Sequence, residues 1–140
     1  MSLFQSLREY ELFVYSLADQ FPRILRSTLV VVRRGRYFAE LTGEVLFPDG
    51  YRLNVYERLS WDTGPLAIEG YSYEAWRGSE ELYWYDSQPH PNDLTLASTD
   101  PHHKHIPPDI KHHRVPAPDM SFSRPNLPAL IQEVEGANGA

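Results

Sequence analysis

The chain has no cysteine among its 140 residues. Disulfide bonds and thiolate metal ligands are therefore excluded, which fits a reducing compartment. The chain also lacks the uninterrupted apolar stretch of about eighteen residues that a membrane-spanning helix requires, and it begins without a signal-peptide run. We expect a soluble cytoplasmic protein that does not enter a membrane.

Positive charge is scarce in the middle of the chain and returns after it. Residues 61–100 contain one arginine and eight acidic residues, whereas residues 101–124 contain two lysines, two arginines and two acids. The overall net charge of -6 therefore hides a locally basic segment. Charge asymmetry of this kind can steer an anionic substrate to one edge of a protein.

Histidine is concentrated in that same basic segment. Five of the six histidines lie within residues 102–113, and the sixth, His90, lies just upstream. Imidazole has an ordinary pKa of about 6.5, so it can both accept and donate protons near neutral pH. Such a cluster beside lysines predicts an acid–base site, a metal site or an edge that binds polyanions.

The apolar pattern predicts one α+β domain over residues 1–135, in which an N-terminal helix packs on an antiparallel meander of about five to six strands. The helix is expected over residues 3–21, since Pro22 ends it. A Pro48-Asp49-Gly50 turn joins the second strand to the third. The strands are expected at residues 28–33, 37–47, 51–59, 68–76 and 81–85.

Residues 87–128 differ in composition from the rest of the chain, since they contain nine of its twelve prolines. This density excludes long helices and central strands. Interspersed apolar residues predict an ordered Pro/His-rich loop, with a short strand near residues 103–106. A short C-terminal helix is expected over residues 127–135, with Asn126 as its N-cap, before a frayed tail at 136–140.

The histidine segment contains the candidate catalytic residues. If residues 103–105 are extended, His103 and His105 project to one face of the strand and Lys104 to the other. Two neighbouring imidazoles can carry out the two proton transfers of RNA cleavage. One removes the 2′-hydroxyl proton, and the other protonates the leaving 5′ oxygen. A nearby cation then stabilises the charge on phosphorus, and no metal or other cofactor is required. The predicted acid–base residues are His90, His103 and His105, with Lys104 as the electrostatic stabiliser and Asp86 as the residue that orients His90.

Basic and aromatic side chains could bind the substrate, since bases stack on aromatic rings and phosphates pair with cations. Cross-strand packing is the commoner role of such aromatics in a sheet. The candidate substrate-binding residues are Arg52, Tyr73, Tyr85, Lys111, His112 and Arg114.

The same atoms allow a metal site as an alternative. A His-x-His pair together with Asp86 or Asp109 is a plausible ligand set for zinc or nickel. The pair is weakly specific, and the chain has no His-Glu-x-x-His motif, so we predict no metal. Each histidine taken alone could also be an ordinary surface residue of a proline-rich loop.

The chain contains an ordered series of motifs. They are Glu44-Val45-Leu46-Phe47-Pro48-Asp49-Gly50, Tyr56-Glu57, Tyr71-Ser72-Tyr73, Trp84-Tyr85-Asp86, Pro89-His90 and Pro101-His102-His103-Lys104-His105. This series resembles the TumE family, which is regarded as the toxin of a type II toxin–antitoxin pair. The resemblance implies a toxin whose partner is an antitoxin with a helix-turn-helix. Ser87 and Pro91 depart from the pattern, since the family commonly has Asn and a second His there.

The sequence thus favours a toxin that is a metal-independent endoribonuclease, with RNA as its substrate. One alternative is a non-enzymatic binding protein whose histidine-rich loop docks an antitoxin or a ribosomal partner. Another is a hydrolase with a histidine-ligated metal. The oligomeric state, including a homodimer, stays open.

Overall fold

The computed structural model describes residues 6–62, 64–87 and 101–137. Its architecture confirms the predicted α+β fold: helices near both ends of the chain pack on an antiparallel sheet. The strands are β1 Arg26–Ser27, β2 Val30–Arg33, β3 Phe38–Leu46, β4 Tyr51–Ser60, β5 Ala67–Arg77, β6 Glu80–Asp86, β7 His103–His105 and β8 Arg114–Pro116.

The sheet has the order β1-β3-β4-β5-β6-β7-β8, and β2 also pairs with β3. Its long strands follow the predicted meander, with bounds that differ by a few residues at most. The Pro48–Gly50 turn adopts a short 3-10 conformation between β3 and β4. In this turn Gly50 has φ +83°, which a residue without a side chain adopts at no steric cost.

The predicted N-terminal helix is divided in two. Helix α1, Leu7–Tyr15, starts at Ser6, whose hydroxyl accepts a hydrogen bond from the backbone N–H of Glu9 at 3.2 Å. Helix α2, Leu17–Gln20, follows after Ser16, where the backbone leaves the helical conformation. The apolar stripe of α1 is buried on the sheet, as its spacing predicts.

The predicted first strand, residues 28–33, begins two residues later than predicted, as β2, and the short strand β1 precedes it. Both pair with β3 in one continuous register, and Thr28 and Leu29 separate them. The hydroxyl of Thr28 accepts from the backbone N–H of Glu44 at 2.9 Å. Gly43 permits the close approach of the two backbones here, since a Cβ at this position would lie 2.6 Å from the Thr28 carbonyl oxygen.

The sheet is larger than predicted, with eight strands instead of five or six. The addition comes partly from the Pro/His-rich segment, where β7 and β8 form a hairpin closed by a 2.8 Å bond from Ile106 N–H to the His113 carbonyl. The predicted short strand is β7. The strand β8 was missed because the short run around Val115 is flanked by Pro116 and has no apolar alternation.

Helix α3, Leu127–Ala137, continues two residues beyond its predicted end. Asn126 precedes it, as predicted, and its carbonyl accepts the Leu130 N–H at 3.2 Å. The side chain of Asn126 accepts from Ser121 N–H at 2.9 Å and donates to the Tyr73 hydroxyl at 3.0 Å. It therefore fixes the helix start to the sheet. The rest of the predicted frayed tail, 138–140, lies outside the described residues.

The two faces of the sheet have different roles. Alternate residues of β4 are buried, and on that side the hydroxyl of Tyr10 in α1 donates to Glu57 of β4. Helix α3 packs on the same side, where Glu133 accepts from the hydroxyl of Tyr85 at 2.9 Å. We call this helix-covered side the inner face and the opposite side the outer face. Among the described residues, no helix has both the length and the apolar character needed to cross a membrane.

Candidate active site

The strand register brings four polar side chains together on the outer face. In the β6–β7 pair, Asp86 lies opposite His103 and Trp84 opposite His105. In the β7–β8 pair, His105 lies opposite Arg114. Side chains of directly opposed residues project to the same face of a sheet. We call Asp86, His103, His105 and Arg114 the outer-face cluster.

The four side chains of the outer-face cluster lie within reach of one another. An Asp86 carboxylate oxygen is 3.7 Å from Nε2 of His103. The rings of His103 and His105 are 5.0 Å apart between centroids and stand at 70° to each other. Nη1 of Arg114 is 3.5 Å from Nε2 of His103. An imidazole pair, a carboxylate and a guanidinium therefore share one small region.

The ring of His105 is held in a defined tautomer. Its Nδ1 lies 2.7 Å from the carbonyl oxygen of Ile110, and a carbonyl can only accept, so Nδ1 carries the proton. The ring also stacks on Trp84, with 4.3 Å between centroids. Burial lowers the pKa of His105, against a smaller raising effect of the bond to Ile110. Nε2 is buried without a hydrogen-bond partner among the described residues. It is therefore positioned to accept a proton or bind a cation.

The outer-face cluster is buried on one side and borders a cavity on the other. His103 is 0% exposed, and His105 is 4% exposed. The Asp86 side chain keeps 14% of its surface exposed and lines a cavity of about 430 Å³ together with Trp84, Ser72 and Arg58. Asp86 is the member of the cluster that lines this cavity.

Lys104 lies on the inner face, away from the imidazoles. It pairs with Tyr85 in the sheet, and its Nζ is 2.7 Å from Glu133 and 4.4 Å from the centre of the Tyr83 ring. The alternation of β7 predicted this opposite orientation, which places the ammonium on the other side of the sheet from the imidazoles. The cation within the outer-face cluster is the guanidinium of Arg114.

Of the predicted substrate-binding residues, only Arg114 joins the outer-face cluster. Tyr73 and Tyr85 face inward, where their hydroxyls donate to Glu57 and Glu133. Both aromatics therefore have the packing role that cross-strand pairs commonly have.

Arg52 lies on the outer face but at the other end of β4, four residues from Tyr56, which shares a sheet row with Asp86. Four residues of strand correspond to roughly 13 Å. Its Nη1 donates to the Gly78 carbonyl at 2.6 Å. The structure therefore does not bring Arg52 to the cluster.

The other described histidines, His102, His112 and His113, lie outside the cluster. His112, His113 and Lys111 are exposed in the β7–β8 loop, where Nδ1 of His112 pairs with Asp109 at 3.0 Å. His102 stacks on Tyr71 and bonds to its hydroxyl at 2.7 Å, which is a packing role. The sixth histidine, His90, lies outside the described residues, so its predicted catalytic role and its orientation by Asp86 stay predictions.

Sequence reasoning missed two elements that orient His105: the ring of Trp84 and the carbonyl of Ile110. Trp84 alternates with Asp86 on β6, so strand periodicity placed both on one face, but the pairing partner of β6 was not evident. Every residue has a backbone carbonyl, so the sequence contains no signal for the hydrogen bond between Ile110 and His105.

The inner face holds a second polar cluster, which we call the Glu57 network: Glu57, Tyr10, Tyr73 and Asn126. Glu57 is fully buried, and its two oxygens each accept a tyrosine hydroxyl at 2.5 Å. Burial raises the pKa of Glu57 to about 7, although both hydroxyls act in the opposite direction. Every oxygen of this carboxylate has a partner.

These features define a small α+β protein with a histidine–aspartate–arginine cluster on the outer face of an antiparallel sheet. The family model described as toxin TumE matches residues 14–138, which is more than half of the chain. The chain therefore belongs to the TumE toxin family, as its motifs predicted. No curated protein and no solved structure gives a significant match.

Proposed function

We propose that this protein is the toxin of a type II toxin–antitoxin pair and that it cleaves RNA at the outer-face cluster without a metal. The toxin role is supported by the family match. The chemistry is supported by one observation above the others: two imidazoles, a carboxylate and a guanidinium converge on one face of the sheet.

In this proposal His105 is the general base. Because its Nδ1–H bonds to the Ile110 carbonyl, the lone pair is on Nε2, which can take the proton of a 2′-hydroxyl. The stack on Trp84 limits rotation of the ring. A base in a fixed orientation loses little conformational freedom when the substrate binds.

His103 is the proposed general acid. Its Nε2 lies 3.7 Å from Asp86, and a carboxylate in this position can orient the protonated ring that gives its proton to the leaving 5′ oxygen. Arg114, beside the same nitrogen, is the proposed stabiliser of charge on the phosphate. The scissile phosphate would approach through the cavity that Asp86 lines.

The proposal includes a partner and a location. A toxin of this kind needs an antitoxin, and we propose a helix-turn-helix protein encoded by the adjacent gene, acting with the toxin in the cytoplasm. Co-expression of the neighbouring gene should restore growth to cells that express this protein. Continued growth arrest would contradict the choice of partner.

The catalytic proposal is tested with purified protein, cellular RNA and EDTA. The informative variant is His105→Asn, because the Asn amide can keep the donor toward Ile110 while Nε2 is lost. The matched control is His113→Asn, at an exposed position of the neighbouring loop. We expect the wild type and the control to cleave RNA and His105→Asn to lose cleavage by roughly a hundredfold or more.

Intact RNA with wild-type protein, or equal cleavage by His105→Asn, would overturn the proposal. If cells that produce His105→Asn still stop growing, toxicity does not depend on the cluster. A non-enzymatic docking role would then be the better explanation.

A further inference from the structure

We propose that Asp86, His103 and His105 also bind a late first-row divalent cation such as Zn²⁺, and that the bound cation inhibits the toxin. Only the inhibition rests on the proposed RNA cleavage. Metal binding stands on the geometry alone and can be measured without any substrate.

The three side chains are arranged as a loose ligand set. One ligand atom from each lies within 4.8 Å of the other two. Zinc bound to nitrogen and oxygen at about 2.0–2.2 Å holds its ligand atoms roughly 3.3 Å apart in a tetrahedron. The pair formed by His103 Nε2 and Asp86 is already at 3.7 Å. Small side-chain rotations would bring the three ligand atoms to the separation that zinc requires, with water as the fourth ligand.

Independent support comes from the surroundings of His105. Its Nε2 is buried without a partner among the described residues, a costly state that a cation would relieve. Its Nδ1–H donates to the Ile110 carbonyl, which is the outer contact that metal-bound histidines commonly make. The ring is thus held in the tautomer that a metal requires at Nε2.

Arg114 opposes the metal. Its Nη1 is 3.5 Å from His103 Nε2, so the guanidinium and a metal would compete for the same lone pair. The positive charge also repels a divalent cation at short range. The proposal therefore makes a specific prediction: removing the charge of Arg114 should tighten metal binding.

Inhibition follows from the atoms involved. A metal on His105 Nε2 occupies the lone pair that the proposed base needs. A metal on His103 would displace the contact to Arg114. The two imidazoles can therefore take part either in proton transfer or in metal binding, but not in both at once.

The experiment is isothermal titration of Zn²⁺ into the full chain after EDTA treatment and dialysis. Four proteins are compared: wild type, His105→Asn, Arg114→Met and the exposed-site control His113→Asn. We expect one equivalent of zinc for wild type and control, and affinity weaker by roughly a hundredfold for His105→Asn. For Arg114→Met we expect affinity tighter by roughly tenfold and loss of RNA cleavage.

The proposal is overturned if the wild type binds no zinc, or if His105→Asn binds it as tightly as the wild type. It is also overturned if only His113→Asn loses binding, which would assign zinc to the exposed loop. Asp86→Asn provides a second ligand variant should His105→Asn fail to fold. Zinc binding without RNA cleavage would contradict the proposed function and leave the metal site intact, and cleavage that zinc does not inhibit would remove the regulatory part.

Discussion

Two polar clusters lie on opposite faces of the same sheet, and they differ in how completely their hydrogen bonds are made. In the Glu57 network both carboxylate oxygens accept tyrosine hydroxyls, and Asn126 donates to one of those hydroxyls. In the outer-face cluster, Nε2 of His105 is buried without a partner among the described residues. The first cluster is under helices, whereas the second borders a cavity.

The difference indicates which cluster is structural and which is chemical. A buried carboxyl group whose two oxygens are both hydrogen-bonded presents no unused atom to a ligand. A buried imidazole with an unused lone pair costs stability, which a fold tolerates where the atom has a task. The experiments below ask whether each cluster behaves as its hydrogen bonds predict.

The largest expected effect concerns Arg114. Arg114→Met should lower RNA cleavage by roughly a hundredfold to a thousandfold, because it removes the cation proposed to stabilise the phosphate. The matched control is Arg52→Met, at the other end of the outer face, which should change cleavage by less than about threefold. Rates on a defined RNA measure both. Equal losses in the two variants would indicate a general electrostatic effect of the face instead of a site.

The next effect is the pH dependence of stability caused by Glu57. Its pKa is raised from 4.5 to about 7 in the folded protein, so folding favours the neutral acid. The contribution is fully present below pH 4.5 and is lost as the pH rises toward 7. A shift of this size corresponds to a decrease of about 3 kcal/mol in the free energy of unfolding.

Denaturant unfolding at several pH values measures this dependence. Glu57→Gln should flatten the slope between pH 4.5 and 7, because the amide does not titrate. Glu80→Gln, at an exposed position of β6, is the control for the loss of one carboxylate. An unchanged slope in Glu57→Gln would mean that folding does not raise the pKa of Glu57.

A smaller loss is expected when one bond of the Glu57 network is removed. Tyr73→Phe leaves a buried carboxylate oxygen and the Asn126 amide without their hydroxyl partner, which should cost about 2 kcal/mol. Tyr56→Phe is the matched control, since its hydroxyl donates at 2.6 Å to Glu40 in a more accessible place. Chemical denaturation should show the greater loss in Tyr73→Phe. Equal losses would remove the distinction between a buried network and a surface bond.

Much of the fold was predictable because its signals are local. The strands on either side of the Pro48–Gly50 turn alternate clearly, and the turn residues have defined backbone preferences. The division of the N-terminal helix at Ser16 was not predicted, because the apolar spacing continues through it. The separation of β1 from β2 was not predicted either, because the close approach of Gly43 to Thr28 depends on strand pairing. The strand β8 has too few residues to show a period.

The site was predictable in residue type but not in arrangement. The alternation of β7 gave the common face of His103 and His105. The alternation could not predict which side chains lie next to the two histidines. That depends on which strand pairs with β7 and in which register, and neither follows from the sequence. That register brings in Asp86 and Arg114 and sends Lys104 to the inner face. A register shift of one residue would exchange the two faces.

The smallest expected effect tests that assignment of faces. Lys104→Met removes the 2.7 Å ion pair with Glu133, which is partly exposed, and should lower the free energy of unfolding by about 1 kcal/mol or less. RNA cleavage should stay within about twofold of the wild type, because the ammonium faces away from the imidazoles. Lys111→Met, at an exposed loop position, is the control for the loss of one positive charge. If Lys104→Met lost cleavage as Arg114→Met is expected to, the inner face would take part in the chemistry, and the separation of a structural from a chemical cluster would fail.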